Sequence, residues 1–479
     1  MTDLPENKDQ HQLPPGPDAD ICVAAATPPG VSGLAVIRMS GNGAGLLADP
    51  LFRPAGARFA KPSQMAGYTC AFGQLIDPDS QTLIDQVVLT RFAAPHSYTG
   101  EEGIEISCHG GPAVKQAILD LLLRQGARAA QPGEFTRRAF LNGKLDLAQA
   151  EAVMDLISAD AARSARNAAA QLNGRLSELV RREAQSLYPL LARVELILEY
   201  PEHDELESAQ DSLVQDLRSS AARLRQRADS YEQGRILREG LTVVLAGQPN
   251  AGKSSLLNAL AGYERAIVTA IPGTTRDTVE ERVDIRGIPV RLIDTAGLRE
   301  THDPIEQLGV ARTRQALRQA DLVFWLLSPP LDDVDAELKQ MRQSGCEHLV
   351  PLVSKEDLAA SAELVARIRS SRPSGPLLTC SVLTGEGIEQ IRDEIVRVYE
   401  SRGAAQAQDV LVSNSRQRVC LEKASEQLEA AQEALTSGLT LDVVASLLRG
   451  ALDALAELTG ENVSEELIDT IFSRFCVGK

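Results

Sequence analysis

From position 21 onward, apolar and polar residues follow three rhythms in succession. Over residues 21–135, short β-like runs (ICVAAAT, GLAVIRMS, IDQVVLTRF, GIEISCHG) alternate with Gly/Pro breaks and one helical stretch, AVKQAILDLLLRQG. That texture predicts a small α+β domain. Residues 136–237 carry apolar side chains at helical spacing almost throughout, with one clear break at EYPEHDE. Asp146, followed three positions later by Gln149, reads as a helix-opening capping box. In residues 238–400 buried-type strands (LTVVLAG, VRLIDTAG, ADLVFWLLS, HLVPLVS, PLLTCS) alternate with helices, which predicts a doubly wound α/β domain on a parallel sheet. Residues 401–479 return to the helical rhythm. Leu467, Ile468, Ile471, Phe472 and Phe475 predict a packed helix that delivers the terminal Cys476-Val477-Gly478-Lys479 to a definite place. The two helical stretches can form one bundle with the α/β domain inserted between them. The alternative is two independent helical domains, but the second stretch would then have to sustain a core of its own.

Composition narrows the setting. A chain of 479 residues exceeds one core and calls for several domains. No apolar run approaches the ~18 residues of a membrane span. Residues 1–20 are polar and Pro-rich, unlike a signal or transit peptide, and are expected to be a disordered extension. Seven scattered cysteines, none in a CxxC pair, argue against structural zinc or a disulfide framework and suit a reducing cytoplasm. The net charge of −17 excludes a globally basic nucleic-acid-binding surface, leaving a local patch or a basic partner.

The strongest chemistry lies in Gly247-Gln248-Pro249-Asn250-Ala251-Gly252-Lys253-Ser254, between a strand pattern and a helix pattern. This is the GxxxxGK[ST] phosphate loop in its required context. Its glycines let backbone N–H groups face phosphate, helped by the helix N-terminus. Lys253 is expected on the β/γ-phosphates, and the Ser254 hydroxyl on Mg²⁺. Downstream, the segment containing Ile271, Pro272, Gly273, Thr274, Thr275, Arg276 and Asp277 can order around a γ-phosphate, with Thr275 completing the Mg²⁺ shell. Asp294-Thr295-Ala296-Gly297 closes a strand and places a carboxylate near the metal and the Gly297 N–H near the γ-phosphate.

Ser354-Lys355-Glu356-Asp357 resembles the NKxD loop of GTPases, whose Asp accepts two hydrogen bonds from guanine; Ser381-Val382-Leu383 stands where GTPases place a backbone donor to the guanine oxygen. A GTPase domain is therefore expected. Two substitutions stand out. Ser354 replaces the usual Asn, predicting a weakened or lost tie to the phosphate loop, and Val382 replaces the usual Ala. After DTAG stands Leu298, which cannot orient a water as a Gln can; Arg299, Glu300, Asp303 and Glu306 are the polar candidates nearby.

Together with SYTGEEGIEISCHGG, PGEFTRRAFLNGKLDLAQAEAV, AIVTAIPGTTRD, DTAGLRE and the terminal FCVGK, these motifs resemble the MnmE (TrmE) family of tRNA-modification GTPases over nearly the whole chain. The resemblance implies an N-terminal folate-binding and dimerisation domain, a discontinuous helical domain and an inserted GTPase domain. It implies addition of a carboxymethylaminomethyl or aminomethyl group to carbon 5 of the wobble uridine of certain tRNAs, in the cytoplasm. A homodimer would work with an MnmG-type flavoprotein, FAD residing only on that partner, and a tetrahydrofolate derivative (5-formyl- or 5,10-methylene-) would donate the one-carbon unit.

Carried over residue by residue, Arg38, Glu105, Lys144 and Lys479 match folate-contacting positions, and Cys476 becomes a thiol near the one-carbon donor, either reactive or merely packed at a junction. Asn250, Thr269, Ile271 and Thr274 match K⁺ ligands, the ion doing the charge work of an arginine finger. Glu306 matches the water-orienting acid, Arg276, Asp277 and Arg299 support the switches, and Ser255 and Ala270 complete the nucleotide-binding set. Pro272, and GVSG after ATPP, depart from the family pattern. A ribosome-assembly GTPase would share the middle block but would need a GxxG segment in a basic RNA-binding domain after it, and neither is present; a metabolic folate enzyme with an attached GTPase would be active without tRNA or partner.

Overall fold

The computed structural model describes residues 20–56, 61–199, 206–262, 279–295, 315–331, 333–346, 348–372, 375–402 and 410–478. The chain divides into two compact units, one of Met1–Glu151 with Asn462–Lys479 and the other of Ala152–Glu461.

In the first unit a seven-stranded sheet runs in the order β3-β4-β5-β6-β2-β1-β7. Its strands are β1 (Cys22–Ala25), β2 (Ser32–Ser40), β3 (Phe52–Pro54), β4 (Thr69–Ile76), β5 (Leu83–Phe92), β6 (Gly103–Gly110) and β7 (Arg128–Ala129). Period-2 alternation sorts the side chains. Ala35, Ile37 and Met39 of β2 and Ile104, Ile106 and Cys108 of β6 point into the core, where Ile118, Leu121 and Leu122 of the helix Pro112–Arg124 meet them. Each such buried Leu or Ile contributes about 1.5–3 kcal/mol. The residues between, Arg38 and Glu105, therefore share the opposite face. The capping box is present: Asp146 N–H donates to Gln149 Oε1 and Gln149 N–H to Asp146 Oδ1, each at 2.9 Å, and a helix follows over Leu147–Ile157.

The expected C-terminal helix spans Glu465–Phe472, opened by Ser464, whose hydroxyl accepts from Leu467 N–H. It belongs to the first unit, where Phe472 packs against Phe140 and Phe475.

The second unit holds the α/β domain and the long helices. Its six-stranded sheet runs β13-β12-β11-β8-β10-β9, with β8 (Leu241–Gly247), β9 (Val279–Ile285), β10 (Ile288–Asp294), β11 (Leu322–Leu327), β12 (Leu349–Ser354) and β13 (Leu378–Cys380). Val243 and Leu245 of β8 face one apolar cluster, Val244 and Ala246 the other, so the sheet is covered on both faces. The expected purely parallel sheet needs one correction: β9 pairs antiparallel with β10 through the tight connection at Arg286–Gly287. A two-residue link can join only antiparallel neighbours.

Segments on either side of the α/β segment in sequence meet in space, helix to helix at Ser425 and helix to preceding loop at Leu411. Ser425 Oγ donates to Ala221 O at 3.1 Å, and Gln171 Nε2 donates to Leu411 O at 2.7 Å. Among the described residues no helix is long and apolar enough to cross a membrane.

Candidate functional site

Strand β8 lies between β10 and β11, and the phosphate loop leaves its end. Gly247 has φ +129°, and a Cβ there would stand 2.3 Å from Leu326 O, so the position requires glycine. Asn250 is a non-glycine residue with φ +62°, and Gly252 follows at +92°. These left-handed turns coil the loop into the helix Lys253–Gly262. Lys253 is buried, its Nζ donating to the carbonyls of Gly247 at 3.0 Å and Gln248 at 2.7 Å, which holds the ammonium over the loop.

Ser254 donates to Asp294 Oδ2 at 2.6 Å, joining the start of that helix to the end of β10. A hydroxyl and a carboxylate side by side are the hard oxygen donors that suit Mg²⁺, so these two positions fit the expected metal. Thr295 donates to Leu245 O at 3.0 Å and fixes the strand end beside β8. Ser255, next on the helix, is exposed.

On the base side, of the weakened or lost tie expected at Ser354, loss is ruled out. Its hydroxyl donates to Ala251 O at 2.7 Å, because β12 ends so close to the loop that the shorter side chain reaches. Lys355, at φ +57°, turns back and donates from Nζ to Asn250 O at 3.1 Å. Asp357 Oδ1 accepts from Ser381 Oγ at 2.7 Å, which orients the carboxylate. Val382 and Leu383 are exposed beside it. Asn250, Ala251, Gly252, Lys253, Ser254, Asp294, Thr295, Ser354, Lys355, Asp357 and Ser381 are thus brought to one edge of one sheet. Thr269, Ala270, Ile271, Pro272, Gly273, Thr274, Thr275, Ala296, Gly297, Arg299 and Glu306 lie outside the described residues, so of the expected K⁺ ligands only Asn250 is placed.

A second constellation occupies the first unit. Arg38 and Glu105 are direct cross-strand partners, paired at 2.8 Å. The Arg38 guanidinium lies 5.5 Å from the Tyr98 ring centre and 5.7 Å from that of Phe135. Burial, outweighing the hydrogen bond with Thr136 and the nearby Arg38 charge, pushes the Tyr98 phenol above its ordinary value. Lys144 Nζ donates to Pro95 O at 3.2 Å.

The C-terminal tail docks alongside. Val477 bridges to Pro132, Gly133 N–H donates to Cys476 O at 3.3 Å, and Gly478 lies against Ala25, one residue from the β1 partner of Arg38. Cys476 itself is exposed, and Lys479 lies outside the described residues. A cation, a carboxylate and the exposed Tyr98 ring, with the buried Phe135 ring behind the guanidinium, can receive a planar, charged heterocyclic ligand.

Sequence reasoning missed the ionic cluster beneath. Arg138, 1% exposed, donates to Glu134 at 2.7 Å, to Glu101 at 2.9 Å and to Asp20 O at 3.0 Å; Arg128 also donates to Glu134 at 2.7 Å. The available signal was an E-x-x-x-R pair on one helix turn within PGEFTRRAF. Burial pushes the neighbouring Cys22 thiol up to about 12.

A strand–phosphate loop–helix, a Ser–Asp pair at the metal position and an oriented acid on the base side define a P-loop GTPase. Two family models match: the GTP-binding protein TrmE N-terminus over residues 21–144, and the MnmE helical domain over residues 147–476. The chain is 42% identical over 465 residues to the tRNA modification GTPase MnmE of Geobacillus thermodenitrificans, covering 96% of this chain and 99% of that one. It is 40% identical over 466 residues to the protein of the same name from Staphylococcus epidermidis, with 96% and 100% covered. Among solved structures, the G domain of the T. maritima FeoB iron transporter matches over 33% of this chain and 98% of that one, at 25% identity and a TM-score of 0.26. The chain belongs to the MnmE family.

Proposed function

We propose that this protein is a GTP hydrolase of tRNA modification, acting with an MnmG-type flavoprotein to add a carboxymethylaminomethyl or aminomethyl group at carbon 5 of the wobble uridine. The observation that carries the nucleotide assignment is Asp357, oriented by Ser381 next to a phosphate loop that Ser354 and Lys355 grip from the same side. A carboxylate there accepts from the two adjacent N–H groups of guanine; adenine offers an acceptor at the matching ring nitrogen.

Ser254, with Thr275, would hold Mg²⁺, and Asn250, with Thr269, Ile271 and Thr274, would hold K⁺; the ions would supply charge stabilisation at the transferring phosphate. Lys253 binds phosphate, Asp294 orients the Ser254 hydroxyl, and Glu306 positions the attacking water. The N-terminal unit would bind the tetrahydrofolate donor through Arg38, Glu105, Lys144 and Lys479, with Cys476 close to the one-carbon group and the exposed Tyr98 ring adding stacking surface. The helical domain is read as discontinuous, the GTPase inserted within it, a reading supported by the Ser425–Ala221 and Gln171–Leu411 contacts. The working form is a cytoplasmic homodimer in which hydrolysis drives a conformational change.

The test is GTP turnover in KCl against NaCl at equal ionic strength, with Glu306→Ala alongside. Potassium-selective turnover that the variant loses supports the reading. Equal rates in both salts would remove K⁺ from it.

A further inference from the structure

Position 248 of the phosphate loop is one that the GxxxxGK[ST] pattern leaves open, yet its side chain is anchored. Gln248 Nε2 donates to Glu337 Oε2 at 2.9 Å, and the other oxygen of that carboxylate, Oε1, accepts from Trp325 Nε1 at 2.9 Å. Glu337 and Trp325 are 5% and 6% exposed. A carboxylate can be held there because both oxygens are hydrogen-bonded. It also lies in the first turn of the helix Val334–Arg342, where the helix dipole favours negative charge. The Gln248 carbonyl in turn accepts from Lys253 Nζ at 2.7 Å. An unbroken relay thus runs from an indole in β11 through a buried carboxylate to the phosphate-binding lysine.

We infer that Glu337 is a positioning residue for the nucleotide site, acting through Gln248 to set the curvature of the phosphate loop and the place of Lys253, and that Trp325 reports the state of that loop. This rests on the GTPase reading. Hydrogen bonds to a charged acceptor in a part-buried site hold a loop more firmly than neutral ones. The chain has one tryptophan, so its emission comes from this relay alone.

The experiment uses the full-length protein and GDP, which binds without turnover. Dissociation constants and tryptophan emission are measured for the wild type, Glu337→Ala, Gln248→Ala, the double variant and Glu337→Gln. Each alanine variant should lose about tenfold in GDP affinity, about 1.4 kcal/mol, and the double variant about tenfold rather than a hundredfold, since both changes break one relay. Glu337→Gln should lose less than Glu337→Ala, about threefold, because its amide oxygen can take the indole N–H while its NH₂ donates to a rotated Gln248 amide, with both bonds now neutral. GDP should change the emission of the wild type and of Glu337→Gln, but not of Gln248→Ala.

Additive losses in the double variant, or a Glu337→Ala protein that melts earlier yet binds GDP as the wild type does, would overturn the inference. Wild-type protein that binds no GDP would instead overturn the GTPase reading beneath it.

Discussion

Ser354 donates its hydroxyl to the Ala251 carbonyl at 2.7 Å, joining the end of β12 to the middle of the phosphate loop. The bond is buried, and the Ala251 N–H is itself tied within the loop, donating to Gln248 O at 3.3 Å. Ser354→Ala leaves the Ala251 carbonyl without this donor, which costs about 1 kcal/mol, or roughly fivefold in nucleotide affinity. Isothermal titration with GDP checks it. An unchanged dissociation constant would mean that Lys355, bonded to the adjacent Asn250 carbonyl, holds the loop by itself.

Asp321 pins both chain crossings between the long helices and the α/β domain. Its carboxylate, 3% exposed, accepts from Thr242 N–H at 2.9 Å and from Arg235 at 2.8 Å, and is paired with Arg402 at 3.2 Å. Arg235 lies on the helix Tyr231–Glu239 that leads into β8, and Arg402 follows the helix Ile388–Ser401 that leads out. Asp321→Ala takes this acceptor from Arg402 and the Thr242 N–H and leaves Arg235 with Glu232 alone. Fully buried pairs lose about 3–5 kcal/mol when one partner goes; both arginines here are partly exposed, so about 2 kcal/mol is expected. Asp321→Asn keeps an oxygen for Thr242 and should lose less. Urea unfolding midpoints should rank wild type above Asp321→Asn above Asp321→Ala.

The parts of this fold legible in the sequence are those written in consecutive residues. The strands β8, β10, β11 and β12, the phosphate loop, the Asp146–Gln149 box and the final helix all declare themselves by local period or spacing. Strand β9 (VEERVDI) did not, because its alternation is interrupted by paired acids and only its partner β10 makes it a strand. The Arg138 cluster draws charges from positions 20, 101, 128 and 134, and no local pattern predicts that they converge. Substituting Ser for Asn at position 354 was legible, but its consequence was not, since a hydroxyl's reach depends on how closely two loops approach. Tyr98 and Phe135 were missed for the same reason: nothing in the sequence places either ring against Arg38.

Glu134 ties acid stability to the first unit. Burial by itself would raise its carboxyl; the bonds from Arg128 and the Gln131 N–H, with Arg138, outweigh that and hold it below the usual carboxylate value. A depressed acid contributes its full stabilisation above the unfolded value of about 4.3. That contribution is lost as pH falls through the lower folded value, because the unfolded chain takes up the proton first. Glu134→Gln lacks the contribution at every pH. The variant should therefore unfold more easily at neutral pH, and the gap to the wild type should narrow as pH drops below about 4.3. Urea midpoints across that range measure it, and a gap independent of pH would count against the charge as the cause.

Gly478 closes the tail against β1. Its φ is +96°, and a Cβ there would stand 2.3 Å from Ala25 O. Gly478→Ala therefore meets both a strained backbone and a backbone clash that no side-chain rotation relieves. Those costs fall on the contact between Gly478 and Ala25, so the tail should undock while the rest of the unit keeps its core. Two readouts follow from the contacts that docking makes. The Gly133 amide, which donates to Cys476 O, should lose protection in hydrogen exchange, and limited proteolysis should cut the last residues sooner, with the melting temperature shifted by at most a few degrees. If the tail also completes the folate site, the same variant should bind 5-formyltetrahydrofolate more weakly while GDP affinity stays as in the wild type. Unchanged exchange at Gly133 would show that the tail tolerates the extra methyl, and the requirement for glycine at this position would be withdrawn.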